Sequence, residues 1–350
     1  MTANTFCRHL SNGYRIYINQ GKITWKPCCY WQDAEIPFDN IDTRRSKINV
    51  AEPWYHRACD QCGQEEIYKT PNGYREIGNR IIPVIDQRRA GWIDIQADLT
   101  CNGGCLTCGP WSSSYWQSEL AKYQEWVPVS VKQDLRGLVD KVFQSLDVSE
   151  LRILQFLGGE PFLSDVDSWA MRYITRPEQC ILKYTTNGSV YPKPDRVASW
   201  QQFEQVIINF SIDGIGSKFE YLRHPLQWSR VEDNIKRFLD ENSVNLVFHI
   251  NHTVTPLNIW YYDEFIDWVD RTFPSQRFKG IHTHPAYGVM SVSATNGRVR
   301  QMVRDRYGND HILSKMLADN PYADSGFSKW IQQWDQRRGT DWRLVFGEIA

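Results

Sequence analysis

Gly91-Trp-Ile-Asp-Ile-Gln-Ala-Asp-Leu-Thr-Cys101-Asn-Gly-Gly-Cys105-Leu-Thr-Cys108 is the stretch on which the fold turns. Its first part, Gly91 to Ala97, reads as a buried strand, because Trp92, Ile93 and Ile95 are apolar and show no helical period. The strand runs into a loop carrying three cysteines spaced C-x3-C-x2-C. Such a loop can aim three thiolates at one small volume, and thiolates are soft ligands suited to iron–sulfur clusters, zinc or Cu(I). Three of them leave a four-iron cluster one protein ligand short, an open position of the kind that catalytic metals use. Gly103 and Gly104 within the loop, and Gly109-Pro110 after it, let the backbone wrap closely. A structural zinc completed by a distant His or Cys is the alternative reading of the same residues.

The chain has 350 residues, enough for one large α/β domain and a smaller module. Hydrophobic content of 41% and charged content of 23% place it among ordinary globular proteins and away from disordered ones. No apolar run approaches the ~20 residues that span a bilayer, and MTANTFCRHL lacks the apolar core of a signal peptide. A cytoplasmic protein with no membrane partner is therefore expected. A net charge of −1 gives no global pull toward nucleic acid. The nine cysteines, at positions 7, 28, 29, 59, 62, 101, 105, 108 and 180, then point to metal, because the cytosol keeps thiols reduced.

Before the strand, Tyr14 to Asn19 alternates, Gly21 turns, and Lys22 to Trp25 returns, which predicts a hairpin. Cys7 precedes it, Cys28-Cys29 follow it, and Cys59-Asp-Gln-Cys62 lies beyond a polar loop from Asp33 to Lys47. The segment has too few aliphatic residues for a core of its own, so a metal centre is expected to substitute for one. Cys29 reads as a spare, either an alternative ligand or a buried small residue. After the cysteine loop, Val131 to Leu146 has a helical apolar face, and strands are expected at 151–157, 180–186, 205–211, 245–254 and from 280. Helices near 165–174, 229–239 and 260–269 alternate with them. Repeated β-α units argue a parallel sheet with ligands at the carboxyl ends of its strands. Gly158-Gly159-Glu160-Pro161, Asn187-Gly188 and Ser211-Ile-Asp213-Gly214 fall at those ends.

With these motifs in place, the chain resembles the radical S-adenosylmethionine (SAM) superfamily. Cys7-x13-Gly21-x6-Cys28 is similar to the cysteine hairpin of its SPASM and twitch modules. Cys59 to Cys62 with Glu65-Glu66 and Tyr74-Arg75, and Cys108-Gly-Pro-Trp-Ser-Ser-Ser-Tyr-Trp116, look like twitch-type proteins, many of them phage-encoded. The resemblance implies an α/β fold: a partial (β/α)6 barrel over 86–290, preceded by a twitch-like module over 1–85 and followed by a helical extension over 291–350. It implies a 4Fe–4S cluster on Cys101, Cys105 and Cys108, and a second, auxiliary 4Fe–4S cluster, or alternatively zinc, on Cys7, Cys28, Cys59 and Cys62. It gives Gly158, Gly159 and Glu160 to the amino group of SAM, Ser211 and Asp213 to its carboxylate or ribose, and Arg223 to its carboxylate, and it adds Asn187 to the SAM-binding set; Asn187 also reads as a turn residue and Arg223 as an exposed helix arginine. The implied reaction is reductive cleavage of SAM to a 5′-deoxyadenosyl radical that abstracts hydrogen from a substrate carbon. A flavodoxin- or ferredoxin-like one-electron reductant would drive it, and relatives of this type often modify peptide or protein side chains. Thr107 stands where the family usually has an aromatic residue, the Gly21-to-Cys28 gap is longer by two, and the module precedes the barrel instead of following it.

Two other readings stay open. Arg298, Arg300, Arg304 and Arg306, with Arg337-Arg338 and several tryptophans, could contact phosphates and bases, which would make a nucleotide or DNA the substrate. Nine Lys/Arg against seven Asp/Glu over 291–350 favour a solvated helix face instead. A zinc-stabilised binding protein without catalysis is the other. Cys180, a possible hydrogen-atom donor, reads first as a buried strand cysteine.

Overall fold

A computed structural model describes residues 7–29, 31, 34–40, 59, 62, 74–83, 89–125, 133–243, 245–323 and 325–350. The chain divides into two compact units, one of residues 1–100, 128–185 and 192–207, the other of residues 101–127, 186–191 and 208–350.

In the first unit, strands β1 (Gly13–Asn19), β2 (Lys22–Lys26), β3 (Ile36–Pro37), β4 (Trp92–Gln96), β5 (Ile153–Leu157) and β6 (Ile181–Thr186) lie in the order β3-β2-β1-β4-β5-β6. β1 to β3 pair antiparallel, while β1, β4, β5 and β6 pair parallel, so the sheet is mixed. Helices flank it. The expected hairpin is present and turns at Gln20 and Gly21, both with positive φ (52° and 74°), as a tight two-residue turn requires. Its supposed lack of a core is corrected. Tyr14, Ile16, Ile18 and Trp25 are at most 3% exposed, because β1 is hydrogen-bonded to β4 and shares the core of the sheet.

In the second unit, β8 (Leu246–Val254) pairs parallel with β9 (Phe278–Pro285). β7 (Gln205–Ser211) starts in the first unit and ends in the second. Along the chain, β4 to β9 alternate with helices as expected. The helix predicted from Val131 runs from Leu135 to Ser145, with the side chain of Asp134 accepting from Gly137 N at 3.0 Å. Residues 131 and 132, like Glu65-Glu66 and 41–47 of the polar loop, lie outside the described residues. The 291–350 segment is helical as expected, with helices Gly297–Tyr307, Ile312–Asp319, Phe327–Arg338 and Trp342–Val345. They pack around Leu222, Ile259, Met290, Val303, Leu317 and Phe346. Among the described residues no helix is long and apolar enough to cross a membrane.

The arginine run is a solvated face at Arg298, Arg304 and Arg306, which are exposed, and departs from that expectation at Arg300. Arg300 is buried and donates to the carbonyls of Val292, Ser293, Thr295, Leu317 and Asn320 at 2.7–3.2 Å. Arg306 pairs with Asp263 at 2.8 Å, and Arg298 donates to the carbonyls of Glu348 and Ala350. Replacing Arg300 with Met strands five buried carbonyls, so Arg300→Met should lower unfolding stability by about 2–4 kcal/mol in urea titrations.

Burial holds two histidines neutral. His9 in the first unit and His252 in the second are each 1% exposed, and desolvation lowers both pKa values to about 4. The unfolded chain takes up these protons near pH 6.5, so their contribution is complete above that pH and declines as pH falls toward 4. Each should cost about 1–2 kcal/mol by pH 5, read as a falling urea midpoint between pH 7 and pH 5. An unchanged midpoint over that interval would contradict it.

Candidate functional site

The cysteine loop lies in the second unit, and the backbone carbonyls of Cys101, Gly103, Gly104 and Cys105 all accept hydrogen bonds. Gly104 N donates to His224 O at 2.5 Å and Leu106 N to Leu222 O at 2.8 Å, pinning the loop to the end of helix Gly216–Leu222. Ser114 Oγ bonds Cys101 O, Ser113 Oγ bonds Gly103 O, and Trp116 Nε1 bonds Cys105 O. Arg338 Nη2 bonds Gly104 O at 2.9 Å while its guanidinium pairs with buried Glu119 at 2.6 Å. A Cβ at Gly104 would lie 2.8 Å from the Tyr115 ring, which explains the glycine there.

Pinning at 222–224 brings Arg223 beneath the loop. Its Nη1 is 3.9 Å from Cys105 Sγ, and its Nη2 pairs with Asp213 Oδ2 at 2.7 Å. Asp213 Oδ1 accepts from Thr253 N at 2.9 Å, and its carbonyl accepts from Asn258 Nδ2 at 2.7 Å. Both charged side chains are buried, and Arg223 Nε has no hydrogen-bond partner among the described residues. Burial pushes the Cys105 thiol up to about 12, opposed by Arg223, and raises Cys108 as well. At neutral pH the bare Cys105 thiol therefore keeps its proton until a metal displaces it. The charges of Cys101 and Cys108 both act on Cys105, so the three sulfurs share one neighbourhood.

Asn187 holds the loop from another side. Its Nδ2 donates to Asn102 Oδ1 at 3.0 Å, Asn102 Nδ2 donates to Ser189 Oγ at 2.8 Å, and Ser189 Oγ donates to Asn187 Oδ1 at 2.6 Å. Ser211, half-exposed at the end of β7, shares a strand face with buried Asn209, whose Oδ1 has no partner among the described residues. Beside Cys108 opens a groove of about 390 Å³ whose lining includes Trp111, Trp116, Tyr287, Trp330 and Trp334.

In the first unit, Gly159 N bonds Asp98 O at 3.0 Å and Glu160 N bonds Thr100 O at 2.8 Å. A Cβ on Gly159 would stand 2.1 Å from Thr100 O and one on Gly158 2.5 Å from Asp98 O, so close backbone approach requires both glycines. Glu160 is 2% exposed and accepts from Phe162 N. Cys7 and Cys28 share an apolar cluster with Leu10 and Trp31, and Cys59 and Tyr74 pack against it. Cys62 is buried outside that cluster. Cys29 is exposed, which removes the buried-residue alternative for it, whereas its neighbour Cys28 is buried. Cys180 is fully buried, as expected. No two of the nine cysteines form a disulfide.

Among the described residues no group of three or more His, Cys, Asp or Glu is placed to hold a single metal ion. A cluster asks for less convergence, since its thiolates bind separate irons. The donor set of the loop, three adjacent thiols with a buried guanidinium beside them, fits such a cluster. The sequence reading missed Glu119, Asn102, Ser189 and Asn258, and took Arg338, which bonds Gly104 O and Glu119, as a candidate phosphate contact. Only the position of Asn102 between two of the cysteines could have pointed to its part.

No family model and no curated protein matches the chain. Among solved structures it is similar to anSMEcpe with bound AdoMet, at 16% identity over 67% of this chain and 63% of that chain, TM-score 0.41. It is similar to Streptococcus suis SuiB bound to S-adenosylmethionine, at 14% identity over 82% of this chain and 63% of that chain, TM-score 0.38. SuiB bound to precursor peptide SuiA matches at 14% identity over 77% of this chain and 57% of that chain, TM-score 0.39. The chain thus spans less than two thirds of each of these structures.

Asp213→Asn keeps the acceptor for Thr253 N and removes the charge facing Arg223. A buried guanidinium left without its anion should cost about 3–5 kcal/mol, measured by chemical denaturation of the metal-free protein.

Proposed function

We propose that this chain is a radical SAM enzyme that modifies a peptide or protein side chain, built on a partial (β/α)6 barrel. The observation that carries the proposal is the C-x3-C-x2-C loop, pinned through its backbone while its three sulfurs stay grouped beside Arg223. Cys101, Cys105 and Cys108 would hold a 4Fe–4S cluster. When bound, that cluster supplies the single electron that cleaves SAM and so begins hydrogen abstraction from a substrate carbon.

The chain's own residues do the positioning. Arg223 offsets negative charge at Cys105 and is itself balanced by Asp213. The Asn102, Asn187 and Ser189 ring fixes the loop backbone between the first two cysteines. Within the first unit, Gly158, Gly159 and Glu160 are the residues proposed for the amino group of SAM. Within the second, Ser211, Asp213 and Arg223 are those proposed for its carboxylate and ribose, and Asn187 joins the SAM-binding set. A second 4Fe–4S cluster is assigned to Cys7, Cys28, Cys59 and Cys62, of which the first three meet at one apolar cluster. The peptide reading is preferred to nucleic acid because the arginines least open to solvent, Arg300, Arg337 and Arg338, are held by partners within the second unit, and exposed Arg306 is paired with Asp263.

Anaerobic reconstitution, metal and sulfide analysis, and a 5′-deoxyadenosine assay with dithionite and SAM test this. About eight irons per chain with SAM cleavage is the expected result, and Cys→Ala at 101, 105 and 108 should abolish cleavage and remove about four irons. About four irons in the unaltered protein would leave the N-terminal cysteines a zinc or structural role. Zinc without cleavage would overturn the enzyme.

A further inference from the structure

Strands of parallel sheets are buried on both faces and read apolar on both. In the first unit β1, β4, β5 and β6 do so fully on one face, through residues such as Ile16, Ile95, Phe156 and Leu182, while on the other Trp92, Ile153 and Ile181 pack with Ile77, Ile81 and Ile82 and give way to polar residues further along the strands. On the other face the register sets Arg15 beside Asp94, Asp94 beside Gln155, and Gln155 beside Lys183. Strands about 4.8 Å apart make this one polar row roughly 15 Å long.

The members of the row are unequally satisfied. Asp94, 2% exposed, receives Arg15 Nη1 at 3.4 Å on one oxygen and Trp92 Nε1 at 2.7 Å on the other. Gln155 Nε2 reaches Thr185 Oγ1 at 3.5 Å. Arg15 Nε is buried without a hydrogen-bond partner among the described residues. Lys183 is half-buried and makes no hydrogen bond or ion pair with a described residue. Two cations, Arg15 and Lys183, thus face one carboxylate, Asp94, and the row carries a surplus of one positive charge. Burial pulls the Lys183 pKa down, and Asp94 and then the Cys29 thiol oppose it.

We propose that this row is a carboxylate-binding site, with the Lys183 ammonium as anchor for one acidic group of the peptide substrate. The inference rests on the peptide reading above and names a feature of that peptide. A monoanion matches the single surplus charge. A phosphate dianion does not, because Asp94 stands two strands away in the same row and repels the second charge. The ammonium, the Gln155 amide and the Thr185 hydroxyl supply the few donors that the two oxygens of a carboxylate need.

The test is calorimetric titration of the full-length protein with acetyl-Ala-Glu-Ala-amide, with acetyl-Ala-Gln-Ala-amide and with inorganic phosphate. The glutamate peptide should bind at least about tenfold more tightly than the glutamine peptide, and phosphate should not displace it. Lys183→Met should lose about tenfold in affinity for the glutamate peptide, and Lys183→Arg should restore most of it. Lys183→Gln serves where the Met variant fails to fold. No binding of the glutamate peptide, equal binding of the two peptides, preference for phosphate, or unaltered affinity in the Lys183 variants overturns the proposal. Binding needs no electron transfer, so a protein that cleaves SAM yet ignores the glutamate charge refutes the anchor alone. One that binds as expected but never cleaves SAM refutes the enzyme reading instead.

Discussion

The second unit depends on two backbone hydrogen bonds, Gly104 N to His224 O and Leu106 N to Leu222 O. They leave Arg223 no route to solvent, and a buried guanidinium has to be matched. Asp213 matches it, and Asp213 is then fixed by Thr253 N at the end of β8. Asn258 closes the arrangement, donating to the carbonyls of both Asp213 and Thr253. Loop, helix end and two strand ends are thereby set by the requirement to bury one positive charge under the thiols. That explains why so many polar groups near the cysteines are occupied with each other: they hold the backbone still and leave the sulfurs available.

The first unit solves a different problem. One face of its sheet is apolar throughout, while the other is apolar at Trp92, Ile153 and Ile181, where helix Tyr74–Ile81 packs, and polar at Arg15, Asp94, Gln155 and Lys183. Rigid strands suit such a polar row, since neighbouring side chains in register keep their spacing without ordering a loop. The Gly158-Gly159 segment follows from the same economy of space. Its backbone lies so close to residues 98–100 that no side chain fits between.

Much of this was legible in the sequence because the signals were local. Strand periodicity located β1, β2 and β4 to β9, and the cysteine spacing located the loop. Interactions distant in the chain were invisible. Arg338 reaches Glu119 across 219 positions, and nothing in either neighbourhood announces the pair. Arg300 looked like surface charge because a run of arginines has the same composition whether its donors meet water or five carbonyls. The N-terminal segment reads as too poor in aliphatic residues for a core of its own, which holds only if it stands alone. Pairing with β4 gave it a core that its own composition does not contain. The sequence leaves Cys29 open for a simpler reason, since a doublet of cysteines does not say which member faces inward.

The parallel pairing of β1 with β4 also bears on how the chain is made. The hairpin of β1 and β2 is local and can close as soon as it leaves the ribosome. The partner of β1 on its other side lies 79 residues later in the sequence, at Trp92 to Gln96, as the pairing of Gly13 with Trp92 gives. Until that strand emerges, β1 presents an unpaired edge with Ile16 and Ile18 beside it, the kind of surface through which nascent chains find each other. Arg15 and Asn19, on the other face of the strand, are polar residues of the kind that limits such association at an open edge.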